Sequence, residues 1–304
     1  MNPEVHIPGW EWYYVAMYFF IAGISAGAYF IGTLAEIFGG ERHREISRTG
    51  FYIAFPLILL TPPLLIADLG RPERFWHLLF HAKSGFPYMN FQSPLSVGSW
   101  ALLLFGAMAF LSFLDNLVSE GKLQSAPFAK AYSRIPRKGY AVVGSIAGFF
   151  VAGYTGVILN ITARPFWAAT DPLVGALFIA SAASTGAAAI YLAMAWRKQL
   201  ADPGLPGFDL FDRLSKILEL VLVVGMVVLA GNYAAPLMKG FNALMFWGGA
   251  VLLGTLLPLA AGWYATRSAA SGVPAERLAT ILAVLVLVGG ALLRISMVHA
   301  GQVQ

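Results

Sequence analysis

Residues 68–81 read D-L-G-R-P-E-R-F-W-H-L-L-F-H, and residues 84–100 read S-G-F-P-Y-M-N-F-Q-S-P-L-S-V-G-S-W. This stretch separates two long apolar runs and is rich in charged, histidine, proline and aromatic residues, whereas an ordinary solvated loop is small and polar. Gly70 permits a tight turn just after a helix end. We therefore expect a short, structured element at the rim of a membrane, with Asp68 still attached to the preceding helix.

The composition of the chain is that of an integral membrane protein. Of its 304 residues, 58% are hydrophobic and only 12% are charged, whereas soluble domains contain about 25% charged residues. No polar stretch is long enough to build a separate core, so residues 1–304 are expected to form a single membrane domain. Cysteine is absent, which excludes thiolate metal sites, disulfides and cysteine ligation of iron–sulfur clusters in this chain.

Eight apolar segments are each close to the ~20 residues that a bilayer crossing requires. An even number of crossings places both termini on the same side of the membrane. The sequence therefore predicts an all-α, polytopic membrane protein with eight transmembrane helices, numbered below as spans 1 to 8: 12–35, 50–67, 94–114, 139–159, 173–196, 214–235, 241–266 and 278–298.

Lysine and arginine are distributed unequally between the two sides. Fourteen of the 20 lie in the loops that follow spans 1, 3, 5 and 7, and five lie on the opposite side. Because loops rich in Lys and Arg stay in the cytoplasm, both termini and the 68–100 stretch are predicted on the outer (periplasmic) face. The basic loops are thus a topology signal, and no nucleic-acid partner is expected.

A weak internal repeat relates the two halves of the chain. Phe-Ile-Ala at 20–22 and again at 178–180 is followed in each case by small residues. Spans 1 and 5 run in the same direction, which suits a tandem repeat of two four-helix bundles, 12–159 and 173–298. The small residues are expected to form close-packing faces, namely Gly23, Ser25, Gly27, Ser181, Ser184 and Gly186.

Tyrosines near the outer ends of spans 1 and 4 are candidates for a polar pocket. Span 4 ends Y-T-G-V-I-L-N at 154–160, which places Tyr154 ~9 Å below Asn160 at helical rise. Tyr14 and Tyr18 are four residues apart and share one face of span 1. Polar groups inside the apolar zone are often functional, but tyrosines are also common in the interfacial belt. The residues alone leave both interpretations open.

Histidines and acids near the span ends permit proton exchange but form no recognisable metal site. Histidine is the side chain best suited to proton exchange near neutral pH, so His77 is either a proton-exchanging group or an exposed rim residue. No two histidines face each other at matching depth, as a haem would require, and no third ligand accompanies His77 and His81. We therefore expect neither a haem nor a metal.

Three ionisable residues on other spans have two interpretations each. Glu36 and Glu219 lie at or just within the inner ends of their spans and are candidates for proton uptake from that side. Glu219 can instead simply pair with Lys216. Arg294, inside span 8, can either snorkel to the interface or pair with an acid.

Together these motifs resemble the NrfD/PsrC family, the membrane-anchor subunits of polysulfide-reductase-type complexes. The same eight-span plan continues beyond the part of the chain, residues 10–190, that carries the resemblance. The motifs are D-L-G-R-P-E-R-F-W-H at 68–77, Ser93-Pro94, Y-T-G-V-I-L-N at 154–160, R-P-F-W at 164–167 and F-I-A-S-A-A-S-T-G at 178–186.

The resemblance implies a subunit of the prokaryotic inner (cytoplasmic) membrane that has no redox centre of its own. It implies that menaquinone or ubiquinone binds near the outer face. It also implies docking there to a ferredoxin-like, four-cluster iron–sulfur subunit, which connects to a molybdopterin catalytic subunit. Such a protein exchanges electrons and protons between the quinone and its partner, and some relatives are proposed to translocate protons as well.

The resemblance also implies which residues contact the quinone. Tyr154 matches a quinone contact of the family. Tyr14 and Tyr18 stand where a characterised relative has an asparagine and a histidine, which is a departure from its pattern. With Asn160 at the end of span 4, these four residues make up the expected quinone site.

The charged residues of the outer face receive the remaining roles. Asp68 and His77 are expected to take up or release the quinone protons. Arg71, Arg74 and Arg164 are expected to support the charge of Asp68 or to dock the iron–sulfur partner. The alternative for Asp68 is an ion pair with Arg71 or Arg74 that only fixes the helix end.

Two other classes of function remain open at this point. A secondary transporter would use prolines as breaks in its helices, but those of this chain are not at equivalent places in the two halves: Pro56, Pro62 and Pro63 in span 2, and Pro258 in span 7. A purely structural anchor would have a pocket filled by lipid and no quinone chemistry.

Overall fold

The computed structural model describes residues 12–40, 43–81, 83–123, 137–162, 164–197, 206–267 and 275–302. These residues confirm the predicted all-α architecture. The α-helices are Trp12–Phe38, Arg44–Ala67, Pro94–Ser119, Arg137–Asn160, Pro165–Ala169, Leu173–Trp196, Pro206–Ala230, Gly240–Ala243, Leu257–Arg267 and Ala275–Gln302. Two 3-10 helices cover Pro72–Leu78 and Gly231–Leu237, and a π-helix covers Leu244–Leu256.

Within these residues, eight helical segments are long and apolar enough to cross a membrane. They confirm the eight predicted spans. Several helices are longer than predicted because their ends continue into polar sequence outside the apolar core. Spans 1 to 8 are Tyr13–Phe38, Arg44–Ala67, Pro94–Ser119, Arg137–Asn160, Leu173–Trp196, Gly207–Leu237, Gly240–Gly262 and Arg277–Gln302.

Spans 1 and 5 form the centre of the protein. In their most apolar windows 78% and 72% of the residues are buried, against 28% in each of spans 2 and 3. Span 1 packs against spans 2, 4, 5 and 8, and span 5 packs against spans 1, 2, 4, 6 and 8. The division into two bundles, 12–159 and 173–298, remains a proposal, in which spans 1 and 5 would be the elements that join the halves.

The contact between spans 1 and 5 depends on small residues, as predicted. A β-carbon added to Gly27 would overlap the carbonyl group of Ala182, and one added to Gly186 would overlap the backbone of Gly27. Ser181 and Ser184 are both buried in the same region. The two backbones can therefore touch, which is how helices associate strongly in lipid, where apolar surface alone provides little driving force.

The stretch between spans 2 and 3 is the expected short, structured element. Its 3-10 helix, Pro72–Leu78, is followed by a loop that turns back on itself. In this loop His81 N donates to Phe86 O at 2.9 Å, and Tyr88 N donates to Leu79 O at 2.9 Å. The indole of Trp100 donates to Tyr88 O at 3.2 Å. These bonds attach the loop to the first turns of span 3, so its polar side chains are held close to the ends of spans 2 and 3.

Candidate functional site

Tyr154 is fixed at the junction of spans 3 and 4. Its hydroxyl donates a hydrogen bond of 2.6 Å to Pro94 O, and its ring lies so close to Gly98 that a β-carbon there would overlap it. The ring also stacks on Phe150, with centroids 5.9 Å apart. Since the single hydroxyl proton is used by Pro94, the Tyr154 oxygen can accept a further hydrogen bond but has no second one to donate.

Tyr18 is the partner that the fold brings to Tyr154. Only 4% of Tyr18 is exposed, and its helix, span 1, packs directly against span 4, which carries Tyr154. Within the described part of the chain, the Tyr18 hydroxyl makes no hydrogen bond, so its proton is available to a ligand. The packing of spans 1 and 4 therefore brings a potential donor and a potential acceptor into the same apolar core.

Tyr14 and Asn160 lie toward the end of the same region. Tyr14 is half-buried one turn before Tyr18. The amide of Asn160 is already used within its own loop: it donates to Asp171 Oδ1 at 3.0 Å, and its oxygen accepts from the Thr170 hydroxyl at 3.5 Å. Asn160 thus joins the end of span 4 to the start of span 5, and its contact with a quinone remains a prediction.

The polar groups after span 2 surround an open pocket of about 320 Å³. His77 and Ser96 are part of its wall, and the Ser96 hydroxyl donates to Leu78 O at 2.8 Å. His77 is exposed, with its ring 3.8 Å from that of Trp76. The pocket reaches Ser93 and Ser96 in the first turn of span 3. It therefore lies beside Pro94, whose carbonyl oxygen accepts from the Tyr154 hydroxyl. The full lining is His77, Leu78, Phe80, His81, Lys83, Tyr88, Asn90, Ser93 and Ser96.

Asp68 and the arginines lie around this region. Asp68 is half-exposed and caps the C-terminus of span 2. Arg71 and Arg74 are exposed at the start of the 3-10 helix, and Arg164 is half-exposed just before Pro165. Their positions permit contact with water or a partner protein. Among the described residues, no group of three or more His, Asp or Glu side chains could hold a metal ion.

On the opposite face, Glu36 is held in a network of ion pairs. Arg137 Nε lies 2.9 Å from Glu36, and another nitrogen of the same guanidinium lies 2.8 Å from Asp115. The Ser47 hydroxyl donates to the second oxygen of Glu36 at 2.9 Å. Glu36 therefore joins spans 1, 2 and 4 as a fixed carboxylate, which does not favour the predicted role in proton uptake.

Glu219 and Arg294 belong to a buried polar cluster. Arg294 is 1% exposed and Glu219 is 7% exposed. Arg294 donates to the Ser181 hydroxyl at 2.6 Å and to Phe178 O at 3.3 Å. Glu219 interacts with Arg294 and with the same Ser181 hydroxyl. Snorkelling of Arg294 to the interface was thus the wrong alternative.

The ion pair expected between Glu219 and Lys216 is replaced by a different one. Lys216, which is buried, forms its ion pair with Asp212, four residues earlier on span 6. The sequence did contain a signal for the actual arrangement, since Arg294 is the one Lys or Arg well inside an apolar span. Its partner was missed because spans 6 and 8 are far apart in sequence and their relative rotation is not visible there.

Comparisons with known proteins agree with the fold and the motifs. The family model described as "Polysulphide reductase, NrfD" matches residues 4–304. Protein NrfD of Escherichia coli is 27% identical, with 96% of this chain and 95% of that protein covered. A polysulfide reductase chain of Wolinella succinogenes is 30% identical over 82% of this chain and 81% of its own length. A selenate reductase subunit of Mesobacillus selenatarsenatis is 22% identical, with 81% of this chain and 65% of that protein covered.

The matched region includes every motif from which the resemblance was inferred, and it extends over the second half of the chain as well. An eight-span fold with no cysteine, and with buried tyrosines at the ends of spans 1 and 4, is present across the same region. The chain therefore belongs to the NrfD/polysulphide reductase family of multi-pass membrane proteins.

Proposed function

We propose that this chain is the membrane-anchor subunit of a multisubunit oxidoreductase, in which it exchanges electrons and protons between a membrane quinone and an iron–sulfur subunit at the outer face. Two of its relatives are named as parts of reductases, one of a polysulfide reductase and the other of a selenate reductase, which supports membership of a reductase complex. The observation that carries the quinone part is that Tyr18 and Tyr154 both lie in the buried core where spans 1 and 4 pack together.

The hydroxyl groups of the two tyrosines can act as a hydrogen-bond donor and as an acceptor toward a quinone head group. Tyr18 has a proton to donate and suits the carbonyl of an oxidised quinone. Tyr154, whose proton is held by Pro94 at 2.6 Å, suits the hydroxyl of a quinol as an acceptor. A site with both functions would bind menaquinone or ubiquinone in either redox state. Tyr14, one turn away, would contact the same head group from the side of the membrane surface.

Oxidation of a quinol gives the quinone, two electrons and two protons. The protein must accept both the protons and the electrons. Asp68 and His77 are proposed to take up the protons because they lie at the exposed end of this region and His77 adjoins the pocket beside Pro94. A carboxylate and a neutral imidazole can each accept a proton. Reduction of a quinone would use the same groups in the reverse direction.

The electrons would pass to a partner, because this chain has no cysteine. We propose a ferredoxin-like, four-cluster iron–sulfur subunit, connected to a molybdopterin catalytic subunit. The exposed guanidinium groups of Arg71 and Arg74, together with that of the half-exposed Arg164, would dock it. Exposed aromatic side chains around them, Phe75 and Trp76, add the kind of surface that is enriched at protein interfaces.

The location that follows is the prokaryotic inner membrane, with both termini and the partner on the outer side, as the charge of the loops favours. Proton translocation across the membrane is part of the proposal. Of the two acids predicted to take up protons from the inner side, Glu219 is the better candidate. Glu36 is already bound by Arg137 at 2.9 Å.

The proposal is tested with the complex purified from membranes that express Tyr18→Phe. Quinol-dependent reduction of the iron–sulfur subunit should fall, because the donor to the quinone is lost while the ring remains. Tyr29→Phe is the matched control: Tyr29 is a buried tyrosine of the same helix, hydrogen-bonded to Ser112 at 2.7 Å. Equal quinol-dependent rates in wild type, Tyr18→Phe and the control would contradict the assignment of Tyr18 to the quinone site.

A further inference from the structure

A groove with apolar walls lies where span 1 ends and span 6 begins. Span 1 forms one wall with Ile31, Leu34 and Phe38. Span 6 forms the other wall with Phe208 and Phe211, and the volume between them is about 290 Å³. Because Ile31 is seven residues from Phe38, at the end of span 1, the groove extends ~10 Å along that helix.

The floor of the groove is a well-packed apolar cluster. Ile31 and Ile46 are buried in it together with Ile190 of span 5. Phe211 is half-buried and packs against the same cluster, and its ring is 6.1 Å from that of Phe30 on span 1. Spans 1 and 6 are thus joined by aromatic rings at this depth, and the groove opens between them from there to the ends of the helices.

The mouth of the groove lies at the level where the hydrocarbon of a membrane would meet the head groups. Phe38 is 80% exposed at the end of span 1, and Trp196 is 88% exposed at the end of span 5, on the same side. Tryptophan is enriched at the boundary between hydrocarbon and head groups. Since one leaflet contributes about 15 Å of hydrocarbon, a groove ~10 Å deep can hold most of the length of one acyl chain.

Groups that favour an anion lie at this mouth. His43 is part of the lining, and the exposed Arg44 follows it. The His43 ring is held in place because its Nδ1 donates to Gly39 O at 2.8 Å, which leaves Nε2 as the ring nitrogen that can bind a ligand. Span 2 begins at the same point, and the amino end of a helix carries partial positive charge.

The acids that adjoin the lining in sequence do not counter these groups. Glu36 and Glu45 each have an arginine of their own, at 2.9 Å and 3.0 Å. Asp209, next to Phe208, is exposed and is not among the residues that line the groove. The charge at the mouth therefore suits an anionic head group, while the walls suit a hydrocarbon chain.

We propose that this groove binds an anionic phospholipid of the cytoplasmic leaflet, with one acyl chain between spans 1 and 6 and its phosphate group at His43 and Arg44. Basic pockets between transmembrane helices on the cytoplasmic side suit such head groups. The bound lipid joins the start of span 6 to spans 1 and 2, and so connects the two halves of the chain. Ile31 is ~20 Å along span 1 from Tyr18, so this site is separate from the quinone site and does not depend on it.

The test is native mass spectrometry of the protein purified from membranes in mild detergent, with phosphatidylglycerol or phosphatidylcholine of the same acyl chains added. Wild type should retain one phosphatidylglycerol per chain in preference to phosphatidylcholine. Gly207→Phe should lose this lipid, because Gly207 lines the groove and an added β-carbon there meets nothing within 4 Å. Gly262→Phe is the matched control: Gly262 is an equally open glycine at the end of span 7 on the same side, outside the lining.

A second variant leaves the walls intact and changes only the charge at the mouth. Arg44→Gln should lower the preference for phosphatidylglycerol about 5-fold, which is the factor that one cation near a membrane surface contributes. Lys122→Gln, which removes an exposed cation just after span 3, should leave the preference unchanged.

Three results would overturn the inference. The first is equal retention of the two lipids by wild type, and the second is full retention of phosphatidylglycerol by Gly207→Phe. The third is a Gly207→Phe protein that keeps the lipid but loses another subunit or its quinone, since the groove would then be the site of that partner.

Discussion

Replacing Tyr154 by phenylalanine removes one atom at the centre of the proposed site. The structure assigns two functions to that oxygen, a 2.6 Å bond to Pro94 O and a free acceptor position for a quinol hydroxyl. Loss of the first should lower the free energy of unfolding by about 0.5–1.5 kcal/mol. The lower part of that range is expected, because Pro94 lies at an exposed helix end where water can replace the phenol.

Loss of the acceptor position should also weaken the contact with the quinol. A penalty of about 1–2 kcal/mol corresponds to a decrease of roughly 5- to 30-fold in quinol-dependent turnover efficiency. The assay is reduction of the iron–sulfur subunit by quinol in the purified complex, with a thermal melt of the same sample. Assembly should be unchanged, because the Tyr154 ring still fills the space beside Gly98.

Tyr140→Phe is the control for this experiment. Tyr140 is buried on the same helix as Tyr154, but it lies near the opposite end. It should alter stability without altering quinol turnover. If Tyr154→Phe retained wild-type turnover while its melting temperature fell as expected, Tyr154 would be a structural residue and would have no place in the mechanism.

Two further predictions concern the packing of the spans. Gly27→Val should lower the melting temperature of the complex strongly, because its side chain overlaps the backbone of span 5, whereas Gly106→Val, in open space, should change it little; similar melts would contradict the close contact. Arg137→Met should destabilise the protein by about 1–3 kcal/mol, because it leaves Glu36 and Asp115 partly buried without their cation. Adding Glu36→Gln to that variant should restore part of the loss in a melt, and no restoration would argue against the shared ion pair.

The spans and their closest contact were predictable because they depend on local properties of the sequence. Length and apolarity define a bilayer crossing, and the small residues of spans 1 and 5 indicated where two backbones could meet. The contact of Gly27 with Ala182 confirms that inference. Tyr154 was identified as a deep residue for the same reason, since helical rise alone places it below Asn160.

The charged interior could not be predicted in the same way. Arg294 was seen inside span 8, but its location beside Ser181 and Glu219 depends on how spans 5, 6 and 8 are rotated about their axes, which a single sequence does not contain. Local spacing favoured Lys216 as the partner of Glu219. Asp212 lies one helical turn before Lys216, so it is equally close in sequence, and it is Asp212 that forms the ion pair with Lys216.

Roles that depend on partners were beyond local reasoning as well. Asn160 was expected to contact the quinone, which stays a prediction, and in the fold its amide is also bonded to Asp171 at 3.0 Å. Glu36 was expected to be available to protons, and it is fixed by Arg137. In both cases the neighbour comes from another segment of the chain, and its contact determines what the side chain can still do.

The most direct test of the quinone function is purification of the native complex in mild detergent, with identification of its subunits and extraction of its quinone. The account predicts an iron–sulfur subunit and a molybdopterin subunit together with quinone in a fixed ratio to this chain, and loss of that quinone when Tyr18 and Tyr154 are both replaced by phenylalanine. A protein that purifies without such partners and without quinone would contradict it.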